Sequence, residues 1–166
     1  YGLIAPAEKQ LRRVPFLWRW LDRSHARPSA VDESLADHVV IVGHGRVGRH
    51  IVDLLQKVDV PHLIIESDAE RVEALDRRGI ATLYGDAATS EVITHAGLER
   101  ARALVVTLPD DPTSEIVVAA ARAIAPRLPV IARAASLEGL RQLQQLGAEC
   151  VIHPEMEGGL EIVRHT

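Results

Sequence analysis

The sequence predicts a doubly wound α/β domain, a parallel sheet of six strands with helices on both faces. Three observations lead there. From residue 38 onward, short β-branched runs alternate with longer segments of helical periodicity. The first apolar run ends in a glycine-rich hexapeptide that opens a helical pattern. Aromatic residues are scarce, five in 166, and four of them (Tyr1, Phe16, Trp18 and Trp20) fall in the first twenty positions. The core must therefore be Val, Ile, Leu and Ala, which is what a sheet buried on both faces requires.

His38–Val42 (HVVIV) is apolar after its first residue and ends at a glycine, as a doubly covered strand does. Residues 46–58 place Val47, Ile51, Leu54, Leu55 and Val58 on one helical face. Residues 62–65 (HLII) form the second strand, and Asp68 caps a helix over 69–78 that stops at Gly79. Residues 81–84 form the third strand, followed by a short helix over 89–96 closed by Gly97. The fourth strand is 103–107 (ALVVT), and its alanine-rich helix, 114–125, is stopped by Pro126. Residues 130–132 are the fifth strand, 137–146 a helix ending at Gly147, and 149–152 the sixth strand. A last helix starts at Glu155. Right-handed crossovers leave few topologies for such a chain, and the Rossmann order 3-2-1-4-5-6 is the expectation.

Charge divides the chain where the aromatics do. Lys9, Arg12, Arg13, Arg19, Arg23 and Arg27 against Glu8 and Asp22 give residues 1–30 a net +4. With −4 for the whole chain, residues 31–166 carry −8, which argues against a nucleic-acid partner. A single cysteine, Cys150, excludes an internal disulfide, and its place in the sixth strand reads as a small core residue. The eight histidines have no metal-ligand spacing, so no metal is expected. No apolar run approaches the roughly 18 residues of a membrane span. A chain beginning at Tyr1 reads as a fragment of a longer protein. Its organisation is a basic, aromatic connector (1–36), the α/β domain (37–154) and the start of a terminal helix (155–166).

Gly43-His44-Gly45-Arg46-Val47-Gly48 is G-x-G-x-x-G between a strand and a helix. Gly43 permits the turn, Gly45 lets a phosphate approach the backbone, and Gly48 packs the helix on the sheet. The helix N-terminus then offers N–H groups and a positive dipole end to that phosphate. Glu66 stands 18 residues past Gly48, at the end of the next strand, where a carboxylate accepts ribose hydroxyls and repels a 2′-phosphate. Ser67 beside it joins the candidate set. Arg46 reaches a phosphate oxygen or is a solvated surface residue. Asp86, in Gly85-Asp86-Ala87 after the third strand, touches a base or caps the following helix. Thr107 sits at the lip of the same cleft. Arg133 points into the switch-point crevice or pairs with Asp110 or Asp111.

With the glycine loop, strand-two acid, YGDAA, ARALVVTLPDD, PVIARA and LGAECVIHPE in order, residues 38–154 resemble the RCK domain, also called KTN or TrkA-N. The likeness is strongest to the C-terminal domain of Kef-type potassium/proton antiporters of the monovalent cation:proton antiporter-2 family. It implies NAD(H), AMP, ADP or ATP in a cleft lined by Gly43, Gly45, Arg46, Gly48, Glu66, Asp86, Thr107 and Arg133. It also implies a homodimer built partly on the last helices, at the cytoplasmic face of the membrane. The preceding membrane antiporter domain would belong to the same polypeptide. The chain has no Asn, and Glu115 stands early in the helix after strand four, where many relatives have one. The Asn that some Kef proteins use for glutathione likewise has no counterpart.

The reading is a nucleotide-sensing regulatory domain, not an enzyme, that gates transport through a dimer rearrangement. Its alternative is the NAD-binding half of an oxidoreductase lacking its catalytic domain. A pure dimerisation module is a third possibility. Residues 1–21 resemble a juxtamembrane stretch, with tryptophans at headgroup depth and cations toward the anionic leaflet, or else an amphipathic helix docked on the domain.

Overall fold

Strands β1 (His38–Val42), β2 (His62–Glu66), β3 (Thr82–Tyr84), β4 (Ala101–Val106), β5 (Val130–Arg133) and β6 (Cys150–Ile152) form one sheet in the order β3-β2-β1-β4-β5-β6. Every pairing is parallel. The coordinates are a computed structural model that describes residues 35–165. The expected juxtamembrane connector lies almost wholly outside these residues. Between the strands run α1 (Arg46–Lys57), α2 (Ala69–Arg77), α3 (Ser90–Thr94), α4 (Asp111–Ile124) and α5 (Leu137–Gln145), with α6 (Pro154–Arg164) last. The fold class and the strand order are those the sequence predicts.

Alternation along β1 explains the layering. All five of its residues are buried. Val39 and Ile41 join Ile64, Val52 of α1 and Leu75 of α2 in one core. Val40 and Val42 join Leu63, Ile65, Leu104, Val106 and the buried residues of α3, α4 and α5 in the other. Successive side chains of a strand point to opposite faces, so an uninterrupted apolar run serves two helical layers. Val42 pairs with both Ile65 and Val106, which brings the C-terminal ends of β1, β2 and β4 to one edge.

Local chemistry starts and stops the helices. Asp68 Oδ1 accepts the N–H groups of Glu70 and Arg71 at 3.0 and 3.1 Å, capping α2 as read from the sequence. Gly79, Gly97 and Gly147 follow their helices with positive φ. Two elements start two or more residues earlier than the sequence suggests. Helix α4 begins at Asp111 rather than Ser114, because Asp110 accepts the Thr113 N–H at 3.0 Å and Pro112 suits a first turn. Strand β4 begins two residues early, led in by a 3₁₀ turn over Leu98–Arg100.

Cys150 corrects the sequence reading: it is exposed. Its strand β6 is the sheet's edge, so the two-sided cover that buries β1 does not extend to it. Helix α6 beyond it has no buried residue, and Ile162 and Val163 are each 72% exposed.

Candidate functional site

The site begins with the turn between β1 and α1. Gly43 takes φ +90°, and its N–H donates to Ile65 O at 2.9 Å, so the turn is tied to the neighbouring strand. A Cβ at Gly48 would lie 2.1 Å from Gly43 O, so the helix can approach the loop only with glycine there. Gly45 is different: a Cβ there would meet nothing within 4 Å. It is the N-cap of α1, and no side chain caps the helix. The first-turn amides, at the positive end of the helix dipole, therefore have no side-chain cap. Arg46 and Val47, the first two residues of α1, are exposed, and the Arg46 guanidinium bonds to no described residue.

Glu66 closes the loop from the side. It is only 5% exposed. Its Oε2 accepts the His44 N–H at 2.8 Å, and its Oε1 accepts the Ser67 and Asp68 N–H groups at 2.9 and 3.0 Å. Arg71 Nη1 lies 3.6 Å from Oε2. A carboxylate offers about four acceptor positions. Three are filled by backbone, which leaves one position, on Oε2, the oxygen that Arg71 faces.

Thr107 is buried, and its hydroxyl lies 3.0 Å from both Val42 O and Gly43 O. It clasps β4 to the glycine loop instead of projecting from the lip. Asp86 is exposed and binds the Ala88 N–H at 2.9 Å in a local turn, while Thr89 is the N-cap of α3. Ala87 is buried beneath that turn.

Arg133 ends β5 and donates to Leu108 O at 3.2 Å, with Glu155 Oε1 at 4.0 Å. Its partner is thus neither Asp110 nor Asp111. Asp111 instead accepts the Ala135 N–H and the Ser136 hydroxyl, each at 2.7 Å. The structure brings the glycine loop, Glu66, Ser67 and Thr107 together. Arg133 bonds to Leu108, whose side chain lies beside Gly43, and faces Glu155 of α6.

Sequence reasoning passed over Arg49, Arg71 and Arg78, which meet His44 across the groove between α1 and α2. The available signal was the place of Arg71, in the first turn of the helix that follows the strand-two acid. His44 itself is 6% exposed, and its imidazole Nε2 has no hydrogen-bond partner among the described residues. Burial holds its pKa below the ordinary histidine value, against the pull of Glu66.

The TrkA-N domain family matches residues 39–154, from β1 to the start of α6. The chain belongs to that family. This TrkA-N domain is 31% identical over 152 residues to the putative K(+) efflux antiporter KefB of Alkalimonas amylolytica, covering 89% of this chain and 23% of that one. It is 32% identical over 156 residues to the putative cation/proton antiporter YbaL of Escherichia coli K12, covering 93% and 28%. The chain thus spans about a quarter of the length of these relatives. The crystal structure of the TrkA-N domain of the E. coli inner membrane protein ybaL superposes with TM-score 0.76 at 33% identity, covering 79% of this chain and 97% of that one. Two more distant structures share the fold. The Shewanella denitrificans Kef CTD in AMP-bound form has TM-score 0.66 and 23% identity, over 75% of each chain. The GsuK channel bound to NAD has TM-score 0.69 and 20% identity, over 82% of this chain and 25% of that one. Among the described residues, no helix of the TrkA-N domain is long and apolar enough to cross a membrane.

Proposed function

We propose that this TrkA-N domain is the cytoplasmic nucleotide-sensing regulator of a potassium efflux or cation/proton antiporter. Its ligand is NAD(H) or an adenine mononucleotide, AMP, ADP or ATP. The observation that carries the reading is the open seat at Gly45: a helix N-terminus with no side-chain cap, open space where a Cβ would stand, and beside it an Arg46 that pairs with no described residue. Phosphate oxygens would take the first-turn amides of α1 and the Arg46 guanidinium. One ribose hydroxyl would take the remaining acceptor position of Glu66, and Ser67 and Asp86 would border the adenosine. Thr107 would act by holding the loop, and Arg133 by linking the sheet edge to α6.

The long matches to KefB and YbaL support this reading over an oxidoreductase half, and the AMP and NAD complexes of the two distant structures support the ligand class. Two copies of the chain would pair, with α6 in the interface, and residues 1–36 would join the pair to the antiporter domain. A nucleotide that binds one dimer arrangement better shifts the population toward it, with a coupling of about 1–3 kcal/mol. Calorimetric titration with NAD, NADH, AMP, ADP and ATP tests the proposal. Binding of at least one, weakened by Arg46→Ala, is the expected result; no heat from any of the five overturns it.

A further inference from the structure

At the N-terminal end of the sheet a cavity of about 440 Å³ opens between the 3₁₀ turn before β4 and the loop that joins α4 to β5. Leu98, Ala125 and Leu128, nearly buried, line it together with half-buried Ile124 and exposed Pro126 and Pro129. Its charged lining is one anion, Glu99, and one cation, Arg127. Both are exposed, and neither pairs with a described residue. An apolar groove between two free charges of opposite sign fits a short apolar segment that carries the complementary pair: burial supplies the attraction and the charges set the register. Strand β4 runs from Ala101 at the cavity to Val106, and Thr107 beyond it holds the glycine loop. A segment seated here therefore leaves the nucleotide seat open.

The path of the chain identifies the occupant. The described residues begin at Leu35, whose carbonyl accepts Arg100 Nε at 3.4 Å and whose side chain packs on the core cluster that contains Leu98, Ala125 and Leu128. Arg100 stands between Glu99 and Ala101 of the cavity lining, so residues 1–34 join the domain beside the cavity. Within them, Phe16-Leu17-Trp18-Arg19-Trp20-Leu21-Asp22 holds three of the chain's five aromatic residues, one cation and one anion. Residues 23–34 tether this segment to Leu35 and extend to about 40 Å, so the tether does not restrict its seating. A second cavity beside Leu35 is lined by the polar side chains of Gln56, Asp59 and His62 and by no Lys or Arg that could meet Asp22.

We infer that residues 16–22 dock in this cavity of their own chain, with Phe16, Trp18 and Trp20 against its apolar lining, Arg19 toward Glu99 and Asp22 toward Arg127. The inference does not depend on the nucleotide reading. Trp18 and Trp20 are the chain's only tryptophans, so fluorescence reads the segment directly. In the 166-residue protein their emission lies at shorter wavelength than in a synthetic peptide of residues 1–34, and acrylamide quenches it about threefold less, as for buried aromatic rings. Ile124→Asp moves both readings toward the peptide values in protein shown by circular dichroism to be folded. So does the joint exchange Glu99→Arg and Arg127→Glu, which alters only exposed side chains, and adding Arg19→Glu and Asp22→Arg restores the original readings. Gln56→Arg, in the second cavity, changes neither. Peptide-like emission in the unaltered protein, or a shift that appears only with phosphatidylglycerol vesicles, overturns the inference. So does a shift lost on dilution, which would seat the segment on a second copy, or one indifferent to the cavity variants.

Discussion

The backbone N–H of His44 donates to the Glu66 carboxylate at 2.8 Å, joining the glycine loop after β1 to the last residue of β2. The acid thereby shapes the loop before any ligand arrives. Exchanging Glu66 for Gln keeps the volume but turns an amide NH₂ toward backbone donors. An unsatisfied buried group costs about 1–3 kcal/mol. Urea denaturation of Glu66→Gln should therefore show a loss of that size, with nucleotide affinity falling as well.

The second and third glycines of the motif separate packing from binding. Gly48→Ala places a methyl 2.1 Å from Gly43 O and should lower both melting temperature and nucleotide affinity. Gly45→Ala meets no atom within 4 Å, so it should change the melting temperature little and reduce affinity alone. Thermal scans with and without ligand distinguish the two.

His38 lies fully buried in β1, and burial lowers its pKa despite a 3.3 Å contact with Ala96 O. The folded state thus binds its proton less readily than the unfolded chain, whose histidine titrates near ~6.5. The resulting stability is complete above that value and declines as pH falls below it toward the folded pKa. His44 contributes with the same sign. Urea midpoints should drop between pH 7 and pH 5, and the drop should be smaller in His38→Gln.

Arg122 of α4 donates to the carbonyls of Gly147, Pro126 and Leu128, clasping the ends of α4 and α5. Losing a charged donor to several backbone acceptors costs about 1.5–3 kcal/mol. Arg122→Ala should show this in equilibrium unfolding, and removing its exposed ion-pair partner Glu149 should cost well under ~1 kcal/mol.

How much was legible depends on whether the deciding contacts were local. The buried run His38–Val42, the Asp68 cap and the glycine stops are nearest-neighbour features, and each stands where its residue type demands. The positions of Gly43, Gly48 and Glu66 were legible for the same reason. The direction of the Glu66 side chain was not, because it depends on the His44 amide 22 residues away. Thr107 looked like a cleft residue because it ends a strand, yet its hydroxyl is used by the carbonyls of Val42 and Gly43. Cys150 was misread although the expected strand order already puts the sixth strand at the edge, because a small apolar residue in a strand reads as core unless the missing neighbour is weighed. The arginine-lined cavity was illegible, since Arg49 and Arg71 meet only when α1 and α2 lie side by side.

Amide NMR of the isotopically labelled chain tests the central claim most directly. Adding AMP or NAD should shift the Gly45, Arg46 and Val47 amides, with the His44 amide following through Glu66. An unchanged spectrum with every adenine nucleotide, or shifts confined to residues away from the β1–α1 turn, would contradict it.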